Sequence, residues 1–386
     1  MSGKILKRAL ALCLCMLLLA GSCLAEDSLE DFVPDALTEE ELAQWQEWAE
    51  EGMGDSDATA ANAAELTPEE ESLMAEMASM LEDTTVSTEV DLSNLEPNEA
   101  LPDYVVNILL LGVDNRSVEL VSGRADANII CSINTQDGSI KLTSIQRDLL
   151  VTIPPKKNPY KITNAYSWGG GQLSMATVNQ NFELNIDKFV TINFYGLAAI
   201  IDYLGGVDIE LTKTEASRIN YELKKEPLPF DTNPDRDKVE AVAGVHHLDG
   251  MQAVTYARIR GISGENDFNR SERQRKLLEV LLEQVMQDMS LDRMVELISV
   301  AMPYVLTNMS ASDMATLGMQ VLSSGIVTRA QQGEDLMEQM RVPMDETWKY
   351  DESNGSSVIA FRTTARKQEN IEALHAFIYG EYIPAN

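Results

Sequence analysis

From residue 104 onward the order of apolar and polar positions predicts an α/β domain. Val105–Val113 is a mostly apolar run that ends Gly112-Val113-Asp114, the pattern of a buried strand that delivers a polar side chain at its end. Residues 127–133 predict a second strand, and 134–138 a hairpin turn into a third at 139–145. Prolines at 154, 155 and 159 mark a loop; 161–185 then carries Gly169-Gly170-Gly171, expected as a turn, followed by a helix. Residues 188–193 alternate as a strand, 194–204 read as a helix closed by Gly205-Gly206, and 207–211 as the next strand. After a polar stretch near 224–244 the pattern is mainly helical. Asp249 is expected to cap a helix reaching about 257 and Asn269, with Glu272 three residues on, to cap another. Short strands are expected near 339–343 and 357–361.

The chain ahead of this domain has a different texture. Lys4, Lys7 and Arg8 precede an uncharged run from Ala9, an export signal that puts everything after it outside the membrane. Its three candidate fates are cleavage before Glu26, lipidation at Cys23 in Leu19-Ala20-Gly21-Ser22-Cys23, or retention as a signal anchor over residues 1–25. Residues 26–102 hold 24 acidic side chains and no Lys or Arg, and so read as an acidic, largely disordered tether with two short helices, near 42–49 and 67–80. That segment supplies most of the formal net charge of −32; residues 103–386 carry 38 acids against 27 bases. A general basic surface is absent, which argues against nucleic acid as a partner and makes any anion site local. Cys131 is the one cysteine beyond the signal region and is expected in the core, so no disulfide framework is expected.

Two constellations carry chemistry. Asp114 ends the first strand with Arg116 two residues on; Arg124 and Asp126 precede the second, and Arg147-Asp148 follow the third. Carboxylates at neighbouring strand ends either converge on a hard cation such as Mg²⁺ or simply cap turns. The second is a knot of six cations in nineteen residues: Arg258, Arg260, Arg270, Arg273, Arg275 and Lys276. It is either a bidentate polyanion grip or an ion-paired helix face. Arg258 and Arg260, two apart, share a face only if the chain is extended there. Arg270 and Gln274 lead into an apolar stripe of Leu277, Leu278, Leu281 and Val285, expected first as core, with a charged head before an apolar face as the layout an amphiphilic phosphate would need.

Taken together, NILLLGVDNR (107–116), GRADANIICSIN (123–134), LTSIQRD (142–148), KITNAYSWGGG (161–171), VTINFYGLAAIIDYLGGVDI (190–209), LDGMQAVTYARIR (248–260) and NDFNRSERQRKLL (266–278) resemble the LytR-CpsA-Psr family of cell-wall phosphotransferases. The resemblance implies a single α/β domain over 103–386, with a central mixed sheet flanked by helices and a helical C-terminal extension. It implies transfer of a glycopolymer from a polyprenyl-pyrophosphate lipid to a peptidoglycan sugar hydroxyl, with release of polyprenyl phosphate, at the extracytoplasmic face of the membrane. The membrane would be reached through the N-terminus or the substrate lipid. Carried over by motif, Asp114 and Asp126 would hold Mg²⁺ (Mn²⁺ is the alternative) and act with Arg147 in catalysis. Arg116, Arg124, Arg147, Arg258, Arg260, Arg270 and Gln274 would grip the pyrophosphate. This chain departs from the family at Ala125 and Ala127, where hydroxyls are usual beside the metal ligand, and at Gln146, where proline is usual. Two further readings stay open: a pyrophosphatase, in which water replaces the acceptor on the same lipid, and a protein that binds the lipid without turnover, which the missing hydroxyls keep open.

Overall fold

The computed structural model describes residues 97–113, 123–225 except 155 and 157, 236–288 except 261 and 264–266, and 304–385 except 354 and most of 311–336, with Leu95 and Val300 besides. The signal segment and nearly all of the expected tether, with its two short helices, lie outside the described residues. The folded body begins before the expected boundary at 103. Leu95 and Leu101 are buried, and Asn98 donates to the Glu183 and Ile383 carbonyls at 3.1 Å each, which fastens this stretch to both later parts of the chain.

A six-stranded mixed sheet forms the centre. Its order is β10 (Met337–Val342), β3 (Ile140–Ile145), β2 (Ala125–Asn134), β1 (Val105–Val113), β6 (Lys188–Ile192) and β9 (Val305–Thr307). β1 pairs antiparallel with β2 and parallel with β6, and β10 pairs parallel with β3. Both faces of the sheet are covered, which is why β1 is apolar at successive positions rather than at alternate ones. Ile108 and Leu110 enter one core and Leu109, Leu111 and Val113 the other. The first core is covered by α2 (Phe194–Tyr203), α3 (Lys213–Lys225), α4 (Gly250–Arg258) and most of α5 (Asp267–Asp288). The second is covered by α1 (Thr163–Phe182) and α6 (Thr364–Tyr379). Cys131 is fully buried in the first core, and burial pushes its thiol up to about 12.

Three two-stranded ribbons lie outside this sheet: β4 (Leu150–Thr152) with β5 (Pro159–Lys161), β7 (Val207–Leu211) with β8 (Gly244–Leu248), and β11 (Trp348–Ser353) with β12 (Ser356–Phe361). The glycine run is a kink within α1 rather than a turn ahead of it. Gly169 and Gly170 leave helical geometry, and at Gly171 an added Cβ would sit 2.4 Å from the Phe189 ring of β6. The other correction concerns α5. It is helical from Asp267, so Asn269 lies within the first turn instead of capping it.

Candidate active site

Strand polarity brings Asp126 and Arg147 to one edge. The antiparallel register sets Val113, the last residue of β1, opposite Ala125, and Asn128 opposite Ile145. The start of β2 and the end of β3 therefore meet beside the end of β1. Asp126, only 5% exposed, accepts a hydrogen bond on Oδ1 from Arg147 Nη1 at 2.9 Å. Its Oδ2 lies 4.0 Å from Arg260 Nη2 and accepts no hydrogen bond among the described residues. Gln146 fixes the turn that presents Arg147: its N–H donates to the Val342 carbonyl at 2.9 Å, a bond that the usual proline could not make. Ala125 and Ala127, on either side of Asp126 along β2, are both buried.

The arginine knot divides in two. α4 opens with a capping box between Asp249 and Gln252 and ends at Arg258; Ile259 then turns extended (φ −49, ψ 130), the condition under which Arg258 and Arg260 can work together. Arg258 stacks over the Phe194 ring, 4.5 Å from its centroid. α5 begins against the second core at Phe268 and continues into the first at Leu277, so its first turns cross the sheet edge where Asp126 lies. That crossing buries Arg270 to 1% exposure and Gln274 to 2%. Arg270 Nη2 is 2.5 Å from Asp267 Oδ1, while its Nε and Nη1, like Gln274 Nε2 and Gln146 Nε2, meet no acceptor among the described residues.

The other three cations hold the fold together. Arg273 donates to Glu215 of α3 at 3.0 Å and to the Ile259 carbonyl at 3.3 Å, Arg275 to Gln339 of β10 at 3.0 Å, and Lys276 to the Glu210 carbonyl at 2.6 Å. Arg124 is exposed just before β2 and shares no ion pair with Asp126 among the described residues. Asp114 and Arg116 lie outside the described residues.

One participant was missed by the sequence reading. Asp267 sits 3.8 Å from Arg147 Nε as well as against Arg270, and its Oδ2 is buried without a hydrogen-bond donor among the described residues. The only signal for it was its i,i+3 spacing to Arg270. Asp148, next along, is held differently. Burial raises its pKa, but the Arg147 and Lys161 charges and the 2.8 Å contact with Lys161 outweigh this and leave it below the ordinary carboxylate value. Arg147, Asp148, Lys161 and Asp267 border an open cavity of about 340 Å³.

As a metal site, the described edge offers the open carboxylate oxygen Asp126 Oδ2, of the hard type that Mg²⁺ prefers; Asp267 Oδ2 is also open but faces Arg147. No group of three or more His, Cys, Asp or Glu among the described residues could hold a metal ion alone. The arrangement fits a cation that shares its shell with substrate oxygens.

Comparison with known proteins decides the family. The sequence model of the LytR_cpsA_psr family matches residues 70–368. The chain belongs to the LytR-CpsA-Psr family. It is 29% identical over 238 residues to the polyisoprenyl-teichoic acid–peptidoglycan teichoic acid transferase TagU of Enterococcus faecalis, covering 61% of this chain and 70% of that one. To the TagU of Halalkalibacterium halodurans it is 32% identical over 187 residues, 48% of this chain and 55% of that one. A solved LytR-CpsA-Psr protein, TagT with bound octaprenyl pyrophosphate lipid, shares the fold with a TM-score of 0.51 at 21% identity, covering 73% of this chain and 95% of that one. In this LytR-CpsA-Psr chain, the motif arginines that the structure gathers at the sheet edge are Arg147, Arg260 and Arg270.

Proposed function

We propose that this chain is a phosphotransferase that moves a glycopolymer from a polyprenyl-pyrophosphate carrier onto a peptidoglycan sugar hydroxyl at the extracytoplasmic face of the membrane. The observation that carries the reading is the set of buried donors that meet no acceptor among the described residues: Arg270 Nε and Nη1, Gln274 Nε2 and Gln146 Nε2. A buried guanidinium with open N–H groups is costly unless an anion meets it, and a pyrophosphate supplies oxygens to several donors at once. The names of the TagU relatives, and the lipid pyrophosphate bound in TagT, support the same substrate class.

In this scheme the acceptor oxygen attacks the sugar-linked phosphorus, the P–O–P bridge breaks, and polyprenyl phosphate leaves. Arg147, Arg260 and Arg270 neutralise charge that spreads onto the phosphoryl oxygens. Asp267, with Oδ2 facing Arg147 and no hydrogen-bond donor on it among the described residues, takes the acceptor proton. Asp148 is instead clamped by Lys161 at 2.8 Å. Asp126, together with Asp114, would hold Mg²⁺, which supplies further charge neutralisation at the bridging oxygens when bound.

The test is to incubate the purified protein with a lipid-pyrophosphate glycan, Mg²⁺ and uncrosslinked peptidoglycan, and to look for a glycan phosphodiester on the peptidoglycan. The expected result is ligation in wild type, lost on chelation of the metal and in Arg270→Gln. Sugar phosphate released without ligation would make the chain a pyrophosphatase. Lipid recovered bound and intact would make it a binding protein.

A further inference from the structure

The wall opposite Arg147 and Asp267 is built by the β11–β12 ribbon. β12 is fastened directly behind the catalytic edge: the Ile359 N–H donates to the Asp148 carbonyl at 2.9 Å, and Leu149 and Ile359 form a parallel bridge. This pins Ser356 and Ser357 along the cavity that Arg147, Asp148 and Asp267 line from the other side. Tyr350, on β11, closes it. The residue is 58% exposed, yet it stands at the end of an aromatic stack. Tyr350 meets Trp348 edge-on at 5.0 Å, and Trp348 packs on Phe268 at 4.6 Å. Phe268 is the neighbour of Asp267 in the first turn of α5, so the stack is rooted beside the carboxylate. The Tyr350 phenol is pushed up by partial burial and then by the charges of Asp267 and Asp148, consistent with its facing both.

An open cavity that combines an aromatic face, hydroxyls and carboxylates has the chemistry of a saccharide site. The ring covers the C–H face of a pyranose, and the polar groups bond its hydroxyls. Arg147 and Asp267, part of the edge where the arginines gather, line this cavity together with the ribbon. We propose that the β11–β12 ribbon forms the acceptor-sugar subsite, with Tyr350 as the stacking platform and Ser356 and Ser357 as hydroxyl contacts, holding a peptidoglycan saccharide with its nucleophilic oxygen at Asp267. This rests on the transfer reading above.

The test has two readouts. Saturation-transfer NMR with the N-acetylglucosamine–N-acetylmuramic acid disaccharide, and no lipid present, should show ring contact with wild type and Tyr350→Trp and none with Tyr350→Ala. In the transfer assay Tyr350→Ala should raise KM for peptidoglycan about tenfold, with kcat and lipid-donor affinity within about twofold. An unchanged acceptor KM with unchanged disaccharide contact overturns the subsite, as does a loss of lipid-donor affinity, which would put the donor glycan on this wall. If wild type binds the disaccharide but ligates nothing, the transfer reading fails while the saccharide subsite stands.

Discussion

Asp148 and Asp267 are two carboxylates on one cavity, and their partners give them different work. Asp148 is clamped by Lys161 at 2.8 Å and lies 3.5 Å from Arg147 Nε. Its folded pKa is lowered despite burial, so the stability it contributes is fully present above the ordinary carboxylate pKa of about 3.9 and is lost as pH falls through the lower folded value. Asp148→Asn should therefore flatten the acid limb of thermal stability below about pH 4 while leaving the neutral-to-alkaline limb parallel to wild type. Melting temperatures measured across pH 2.5–7 on both proteins check this; an unaltered acid limb would show that Asp148 is not so clamped. At this scale the sequence was informative about charge and less so about partners. Asp126, Arg147, Arg260 and Arg270 are legible because strand ends and a helix start are read from pattern. Arg273, Arg275 and Lys276 look identical to them in a charge count. Only the tertiary positions of Glu215, Gln339 and the Glu210 carbonyl turn those three to holding the fold.

Helix placement sets where the arginines arrive. α4 packs on α2 with no side chain between them at Gly250, whose added Cβ would lie 2.2 Å from the Ala198 carbonyl oxygen. The Gly250 N–H also donates to Asp202 of α2 at 2.7 Å. Gly250→Ala must push the two helices apart, at a cost of about 1–3 kcal/mol. The expected outcome is a melting temperature lower by roughly 2–4 °C per kcal/mol. Calorimetry decides, and an unchanged melting point would mean that the helices do not approach at this residue. The central strands and α2, α4 and α5 were legible because apolar periodicity or a cap marks each. β8 and β11 were not, for a physical reason. Gly244–Leu248 exposes Val245 at 69% beside two histidines, and Trp348–Ser353 has a nearly wholly exposed run of polar residues, so neither carries a buried stripe to read. The ribbon that walls the cavity was thus invisible as a strand pair even though one of its strands was expected.

Across the whole molecule, the change in composition expected at 103 falls a few residues after Leu95 and Leu101, which are already buried. The closing of the sheet could not be read in the same way. β10 lies far along the chain from β3, yet it pairs with it in parallel over Met337–Val342, and the Val342 carbonyl takes the N–H of Gln146 beside Arg147. A protein ending at residue 336 would leave β3 as an open edge and lose β10, the β11–β12 ribbon and α6 together. It should be recovered as aggregate in a solubility and size-exclusion comparison with the full chain; a soluble monomeric product would contradict this role for β10. The parallel strand also orders events in time. Arg147, Arg260 and Arg270 are synthesised before β10, the strand that pairs beside the edge where they meet. A growing chain therefore carries these three arginines before the strand that braces their edge is in place.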